Sequence, residues 1–339
     1  MDSLSQLALG SALSVAAMGR RTAVGKAALW GGVAGTLPDL DVLIDYGDPI
    51  LNMVLHRGHS HALLWLTLLA LPLGAAIAKL HGEWACWQRW CWAMGLALVT
   101  HPLLDTMTVY GTQIFQPFSN HPFGVGSIFI IDPLYTLPLL VGAIWALVAS
   151  DKTRGLRANL VGLVLSCIYL LWTVVTQQHV SDIAQASLKQ QGIAAQRTLV
   201  TPSPFNSVLW RVVAVDDKHF YEGFYSLLDT TREMQWDRFD RGLQWSAALK
   251  DVDGVRRIQS FSHGFYKLSH EENQLRISDL RMGQEPGYVF SFAVATLTDP
   301  SQAPQVLQPS QAVGGCMDPQ RGLAWLKRRI IGERLPPPR

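Results

Sequence analysis

Charge is scarce in this chain: Asp, Glu, Lys and Arg make up 16% of its 339 residues, against roughly 25% in ordinary soluble proteins. The scarcity is uneven. Residues 1–178 hold nine Lys/Arg and nine Asp/Glu, whereas the rest hold 19 and 17. The net charge of +2 provides no basic field for a polyanion, which argues against nucleic acid as a partner. Cysteine is equally sparse. Cys86, Cys91 and Cys167 lie in apolar segments and only Cys316 in the charged half, and no CxxC pair exists. Both a disulfide framework and a thiolate metal site are therefore disfavoured. No basic stretch precedes the first apolar run, and Arg20-Arg21 follow it, so that run is expected to be retained rather than cleaved. A Gly-rich phosphate loop is missing, and Ser60 sits in no G-x-S-x-G elbow.

What the first half does contain is apolar. Six segments, about 4–19, 27–38, 61–80, 90–107, 133–150 and 157–177, read as helices. Those at 61–80, 133–150 and 157–177 approach the roughly 20 residues that span a bilayer. Basic residues fall at 20, 21 and 26, at 79 and 89, and at 152, 154 and 157. The connections between these groups hold only Arg57. Basic connections face the cytoplasm, so residues 39–60, residues 108–132 and the charged half are expected on the periplasmic side of an inner membrane. After Gln178 a polar helix, about 179–196, leads to short runs rich in aromatic and β-branched residues. These are 209–215, 220–225, 261–268, 274–282 and 287–297, and they read as antiparallel strands. A helix is expected near 239–250 and a disordered Pro-rich tail at 336–339. The organisation that follows is a helical membrane domain over 1–178 and an α+β soluble domain over 179–335.

Ionisable groups beside membrane segments are costly and mark function. Here they cluster by type. Asp39 and Asp41 follow Pro38 at the end of an apolar segment, and His56-Arg57-Gly58-His59-Ser60-His61 precedes another. His101 and Asp105, four residues apart, share one helical face. Imidazole and carboxylate together form the ligand set of zinc and similar divalent cations. Asp39, Asp41, His56, His61, His101 and Asp105 are thus the candidate metal ligands. Asp39 and Asp41 double as candidates to orient or deprotonate a water, and Arg57 as a bidentate contact for a phosphate or carboxylate. His59 alternates away from its neighbours, His81 falls on the basic side, and His121 and Asp132 are evenly balanced. Taken singly, each residue has a bland reading: a packed histidine, a helix or turn cap, an interfacial arginine. The four histidines at 179, 219, 263 and 270 show no ligand spacing.

The chain resembles the YdjM-type family of membrane-bound metal-dependent hydrolases. The resemblance is carried by Gly35-Thr36-Leu37-Pro38-Asp39-Leu40-Asp41, His56-Arg57-Gly58 with Ser60-His61, and Thr100-His101-Pro102-Leu103-Leu104-Asp105. Further matches are Tyr110-Gly111-Thr112-Gln113, Ile130-Ile131-Asp132-Pro133-Leu134-Tyr135-Thr136, Pro204-Phe205-Asn206-Ser207-Val208-Leu209-Trp210-Arg211 and Glu222-Gly223-Phe224-Tyr225-Ser226. That family is similar in turn to zinc-dependent phospholipase C and the P1-type nucleases. The resemblance implies a phospholipase C-like helical core and assigns the same six residues as ligands or general base. Ser14-Val15-Ala16-Ala17 departs from the pattern, because many relatives carry a Glu there.

These observations lead to a membrane-bound metal-dependent hydrolase of a phosphoester or phospholipid head group, with membrane lipid as its partner. Two other classes compete. An ion-coupled transporter would place its site at mid-membrane between discontinuous helices, and a non-catalytic scaffold would use the metal only to staple helices.

Overall fold

The computed structural model describes residues 1–298, 302–315 and 318–339, so Cys316 lies outside the described residues. The chain divides into two compact units. One comprises Met1–Leu43, His56–Val175 and Pro204–Asn206, the other Ile44–Leu55, Thr176–Ser203 and Ser207–Arg339.

The first unit is helical. Each of the six apolar segments forms a helix: α1 (Ser3–Met18), α2 (Val24–Thr36), then, beyond the short α3 (Pro49–Leu55) of the other unit, α4 (Leu63–Leu80), α5 (Trp87–Thr106), α6 (Pro133–Val148) and α7 (Lys152–Gln190). Among the described residues only α4 and α7 are long and apolar enough to cross a membrane, and α1 and α6 are shorter apolar helices. Of the expected five or six apolar helices, two are therefore crossing candidates, and the segment at 133–150 falls short of the span length expected of it. The expected helices at 157–177 and 179–196 are one 39-residue helix, because no Gly or Pro interrupts the chain where its polarity changes.

Large apolar side chains point outward on α4, α6 and α7, among them Leu68, Val141, Trp145, Leu165 and Trp172. A helix in water would turn such residues inward. The inner faces bury Met18, Leu66, Ile77, Trp90, Met94 and Leu98 in one cluster, and Ala8, Leu104, Tyr135 and Leu139 in another. The α1–α2 pair packs backbone to backbone. A Cβ added at Gly31 would collide with the Gly10 carbonyl and Ser14 Cβ, and one at Gly35 with the Gln6 carbonyl.

The second unit is α+β. Four strands, β1 (Arg197–Pro202), β2 (Leu209–Val215), β3 (His219–Ser226) and β4 (Asp237–Asp240), form an antiparallel meander. A second sheet takes β5 (Tyr266–Glu271) and β6 (Gln274–Asp279). After the small hairpin β7–β8 (Gly283–Gln284, Gly287–Tyr288), it adds β9 (Ser291–Thr296) and β10 (Gln305–Ala312), in the order β10-β9-β6-β5. Val180, Ile183 and Ala184 on the C-terminal part of α7 pack with Trp210, Val212 and Tyr225. The expected helix at 239–250 is instead β4 and a single 3-10 turn, Leu243–Trp245. The helix comes later, as α8 (Asp253–Phe261), which buries Val255, Ile258 and Phe261 at a spacing of three. That face takes Phe261 out of the expected strand run, and β5 begins only at Tyr266.

The last helix, α9 (Pro319–Ile330), is capped by Asp318. The Pro-rich end is held in place where disorder was expected. Trp325 donates to the Leu335 carbonyl, and Arg339 pairs with Glu222 and Asp237 over the ring of Phe239. Gly31→Leu is expected to destabilise the helical unit by about 1–3 kcal/mol through overpacking. Gly25→Leu, where a Cβ meets nothing within 4 Å, should not. Thermal unfolding of the two variants in detergent checks this.

Candidate metal centre

The ends of α1, α2, α4 and α5 meet at one end of the helical unit. As α2 runs out it tightens into a 3-10 turn, Leu37–Leu43, carrying Asp39 and Asp41. The segment leading into α4 turns sharply at Arg57, whose φ of 62° is left-handed, and closes in a second 3-10 turn, His59–His61. A non-glycine residue held in that region stores strain, as functional sites commonly do. One turn before the end of α5, His101 and Asp105 project from the same face.

Four side chains converge there. The Nε2 atoms of His61 and His101 lie 3.1 Å apart. Asp105 Oδ2 is 3.2 Å from His61 Nε2 and 3.4 Å from His101 Nε2, and Asp39 Oδ1 is 3.4 Å from each. All four ligand-type atoms fall within 4.8 Å of one another. His61, His101 and Asp105 are fully buried, while Asp39 keeps 18% of its side-chain surface exposed. A tetrahedron with metal–ligand bonds of about 2.0–2.1 Å has edges of about 3.3 Å, and the five distances given match that figure.

Hydrogen bonds behind the cluster fix which ring nitrogens carry protons. His101 Nδ1 faces the Gly35 carbonyl at 2.6 Å, which can only accept, so Nδ1 holds the proton. His61 Nδ1 lies 2.8 Å from Ser60 Oγ, and that hydroxyl donates its one proton to Asp41 Oδ2 at 2.5 Å. His61 Nδ1 must therefore donate too. With Nδ1 protonated on both rings, Nε2 is the nitrogen each ring has to offer a metal, and both are directed at the same point as two carboxylate oxygens. Asp105 Oδ2 is buried with no hydrogen-bond partner. Converging lone pairs in a dry pocket repel each other unless a cation lies between them, and this donor set fits a divalent metal.

Further contacts hold the ligands. Asp105 Oδ1 receives Gln6 Nε2 at 3.0 Å and the Met1 α-amino group. Gln6 Nε2 also reaches the His101 carbonyl at 3.2 Å. The sequence reading missed both donors, although a lone Gln in an apolar helix was a signal for one.

Asp41 and His56 stand beside the four rather than among them. His56 Nδ1 is 2.8 Å from Asp41 Oδ1, and Arg57 N donates to Asp41 Oδ2 at 2.9 Å. Burial works against the Asp41 carboxylate, but hydrogen bonds from His56, Ser60 and Arg57 N overcome it and hold its pKa below the ordinary range. Arg57 is 5% exposed and lies over the Tyr110 ring, with its centre 4.9 Å from the ring centroid. Its Nε is 3.3 Å from Asp105 Oδ2, outside hydrogen-bond geometry.

Of the evenly balanced pair, neither residue enters. Asp132 caps α6 and accepts from Tyr169 OH at 2.8 Å, and His121 packs on Phe123. His59 is exposed. The basic residues gather at the other end of the unit. Lys26 meets Glu83 at 3.0 Å, Arg89 meets the Ala17 carbonyl at 3.0 Å, and His81 accepts from Trp30.

A model of the family described as YdjM inner membrane protein matches residues 1–180, a stretch that holds every residue of this cluster. The chain is also 22% identical over 305 residues to the Bacillus subtilis (strain 168) protein titled "Uncharacterized protein YfhP", covering 86% of this chain and 89% of that one. No solved structure matches. Since the family match takes in more than half of the chain and the whole cluster, the chain belongs to the YdjM inner membrane protein family.

Proposed function

We propose that this is a multi-pass inner-membrane protein whose Asp39, His61, His101 and Asp105 hold a divalent cation, zinc by the character of the donors. The centre would hydrolyse a phosphoester, a phospholipid head group among them. The observation that carries this reading is the proton arrangement: Gly35 and Ser60 commit both imidazoles to offering Nε2 to one point. The gathering of basic residues at the opposite end supports a centre on the periplasmic side.

Held by Asp39, His61, His101 and Asp105, zinc would supply Lewis acidity toward a phosphoryl oxygen and toward water. The chain's own groups supply the rest. Asp41, ionised and pinned by three donors, holds His56 by Nδ1 and leaves Nε2 to move a proton. In hydrolysis that nitrogen takes the proton of the attacking water as the new P–O bond forms. It returns the proton to the leaving oxygen as the old P–O bond breaks. Arg57, with an Nε that lacks an acceptor, offers N–H groups to the phosphate oxygens.

One observation favours a second reading, a metal that only staples α2, α4 and α5 together. Four protein donors complete a tetrahedron, as in structural zinc sites. The partial exposure of Asp39, and the Asp41–His56 pair with Arg57 beside the cluster, favour the enzyme.

Purified protein is expected to hold about one divalent ion per chain, with zinc the leading candidate. His101→Ala and Asp105→Ala should abolish it in metal analysis. Because a ligating imidazole must be unprotonated, the ion should be released on acidification. A metal-free wild type at neutral pH overturns the reading. His56→Ala and Asp41→Asn should keep the ion and lower phosphoester hydrolysis by about 10²–10³-fold. Loss of the ion in both would move the pair into the ligand set, and full activity in both would leave the staple.

A further inference from the structure

The turn that delivers the carboxylates has two sides. In Leu37–Leu43 the side chains of Asp39 and Asp41 face the cluster and its flanking pair. Those of Leu40, Val42 and Leu43 face outward, 55%, 70% and 79% exposed. A second loop lies alongside the site. Residues 108–131 contain no Asp, Glu, Lys or Arg but four Phe, and Phe115 and Phe118 are 49% and 82% exposed. This loop is tied to the site turn, since Gln113 N donates to the Arg57 carbonyl at 3.0 Å. It is tied equally to the membrane helix, since Leu63 N, at the first residue of α4, donates to the Ile114 carbonyl at 3.0 Å.

Water does not suit this surface. A loop of 24 residues without charge, and five large apolar side chains bared around a polar centre, mark an interaction face. Its position says with what. The loops join the head of a membrane-crossing candidate, whose outward Leu64 and Trp65 continue the apolar surface. That is the depth where aromatic and aliphatic side chains settle among head groups.

We propose that Leu40, Val42, Leu43, Phe115 and Phe118 form a rim sunk in the bilayer boundary, and that the centre acts on a phosphoester carried by a lipid that arrives from the membrane. The substrate half of this rests on the hydrolytic reading above; the insertion of the rim does not. An apolar tail remains in the bilayer beside the rim while the phosphate reaches Arg57 and the metal cluster. A water-soluble phosphoester has no use for such a rim.

The test places a bimane label at Leu43→Cys or Phe118→Cys in a chain whose Cys86, Cys91, Cys167 and Cys316 are Ala. The full-length protein sits in nanodiscs of phosphatidylethanolamine and phosphatidylglycerol. Leu68→Cys on α4 and Glu272→Cys, an exposed glutamate of the second unit, serve as lipid and water references. Labels at 43 and 118 should be quenched by lipids bearing a doxyl group near the head group, severalfold more than at 272, and be protected from iodide. Iodide reaching 43 and 118 as readily as 272 overturns the rim, whatever the metal content, and leaves the face for a soluble partner.

A second measurement needs no cysteine replacement. Wild type should cleave a long-chain phospholipid severalfold faster than its short-chain soluble analogue. Leu43→Asp with Phe118→Asp should erase that preference while retaining the metal. Equal cleavage of both substrates by metal-loaded wild type overturns the lipid-borne substrate, whereas no cleavage of either by metal-loaded protein overturns the hydrolytic reading itself.

Discussion

Two imidazole nitrogens and two carboxylate oxygens that point at one another constrain everything around them. Buried carboxylates are destabilising unless an opposite charge answers them; Arg57 and the Met1 amine both lie beside Asp105, and Asp39 has only the two imidazoles within ion-pair distance among the described residues. The helical unit is arranged to keep this arrangement from relaxing. The Gly35 carbonyl and Ser60 hold the imidazole protons on the far side of each ring. Gln6 and the Met1 amine hold the free oxygen of Asp105. The side chains are thus set for an ion before any ion arrives, which is how a metal site gains affinity and geometry together.

The close packing of α1 on α2 belongs to the same arrangement. Gly10, Gly31 and Gly35 have no room for a Cβ, and small residues of this kind are what allow helix backbones to touch in lipid. At that separation Gln6 of α1 reaches α5, and the carbonyl of Gly35, itself against the Gln6 backbone, reaches His101. A larger residue at any of the three would move a donor away from a ligand as well as loosen the helix pair. What reads in sequence as a Gly/Ala-rich, weakly apolar hairpin is therefore the positioning element of the centre.

How much was legible followed from the range of each signal. His101 and Asp105 were readable because four residues on a helix always share a face. The six apolar segments were readable because apolar composition is a local property. The division of Asp39 from Asp41, and of His61 from His56, was not. Residues two or five apart in irregular turns can point anywhere, and only the bonds through Ser60 and Arg57 N decide it. The run at 133–150 looked close to span length because composition does not mark where a helix stops, and α6 covers only 16 residues of it. In the second unit, apolar and alternating runs found β2, β3, β6 and β9, but Phe261, the last residue of the short polar helix α8, was read as the start of a strand.

The same distribution of charge explains why one end of the helical unit carries chemistry and the other does not. At the basic end, Lys26 and Arg89 are answered by Glu83 and a helix-end carbonyl, and Trp30 and His81 satisfy each other. Those contacts close on themselves. At the opposite end the polar atoms do not close. Asp105 Oδ2 and Arg57 Nε are buried without hydrogen-bond partners, in loops otherwise emptied of charge. Unsatisfied polar atoms are destabilising wherever they are buried, and these two, unlike the neutral groups left unpaired elsewhere in the helical unit, carry charge beside a cluster of ligand-type atoms. The two orphans are of opposite character, an anionic oxygen and a cationic nitrogen 3.3 Å apart. A cation on one and an anionic group on the other satisfies both at once, which is the pairing that a metal ion and a phosphoester bring.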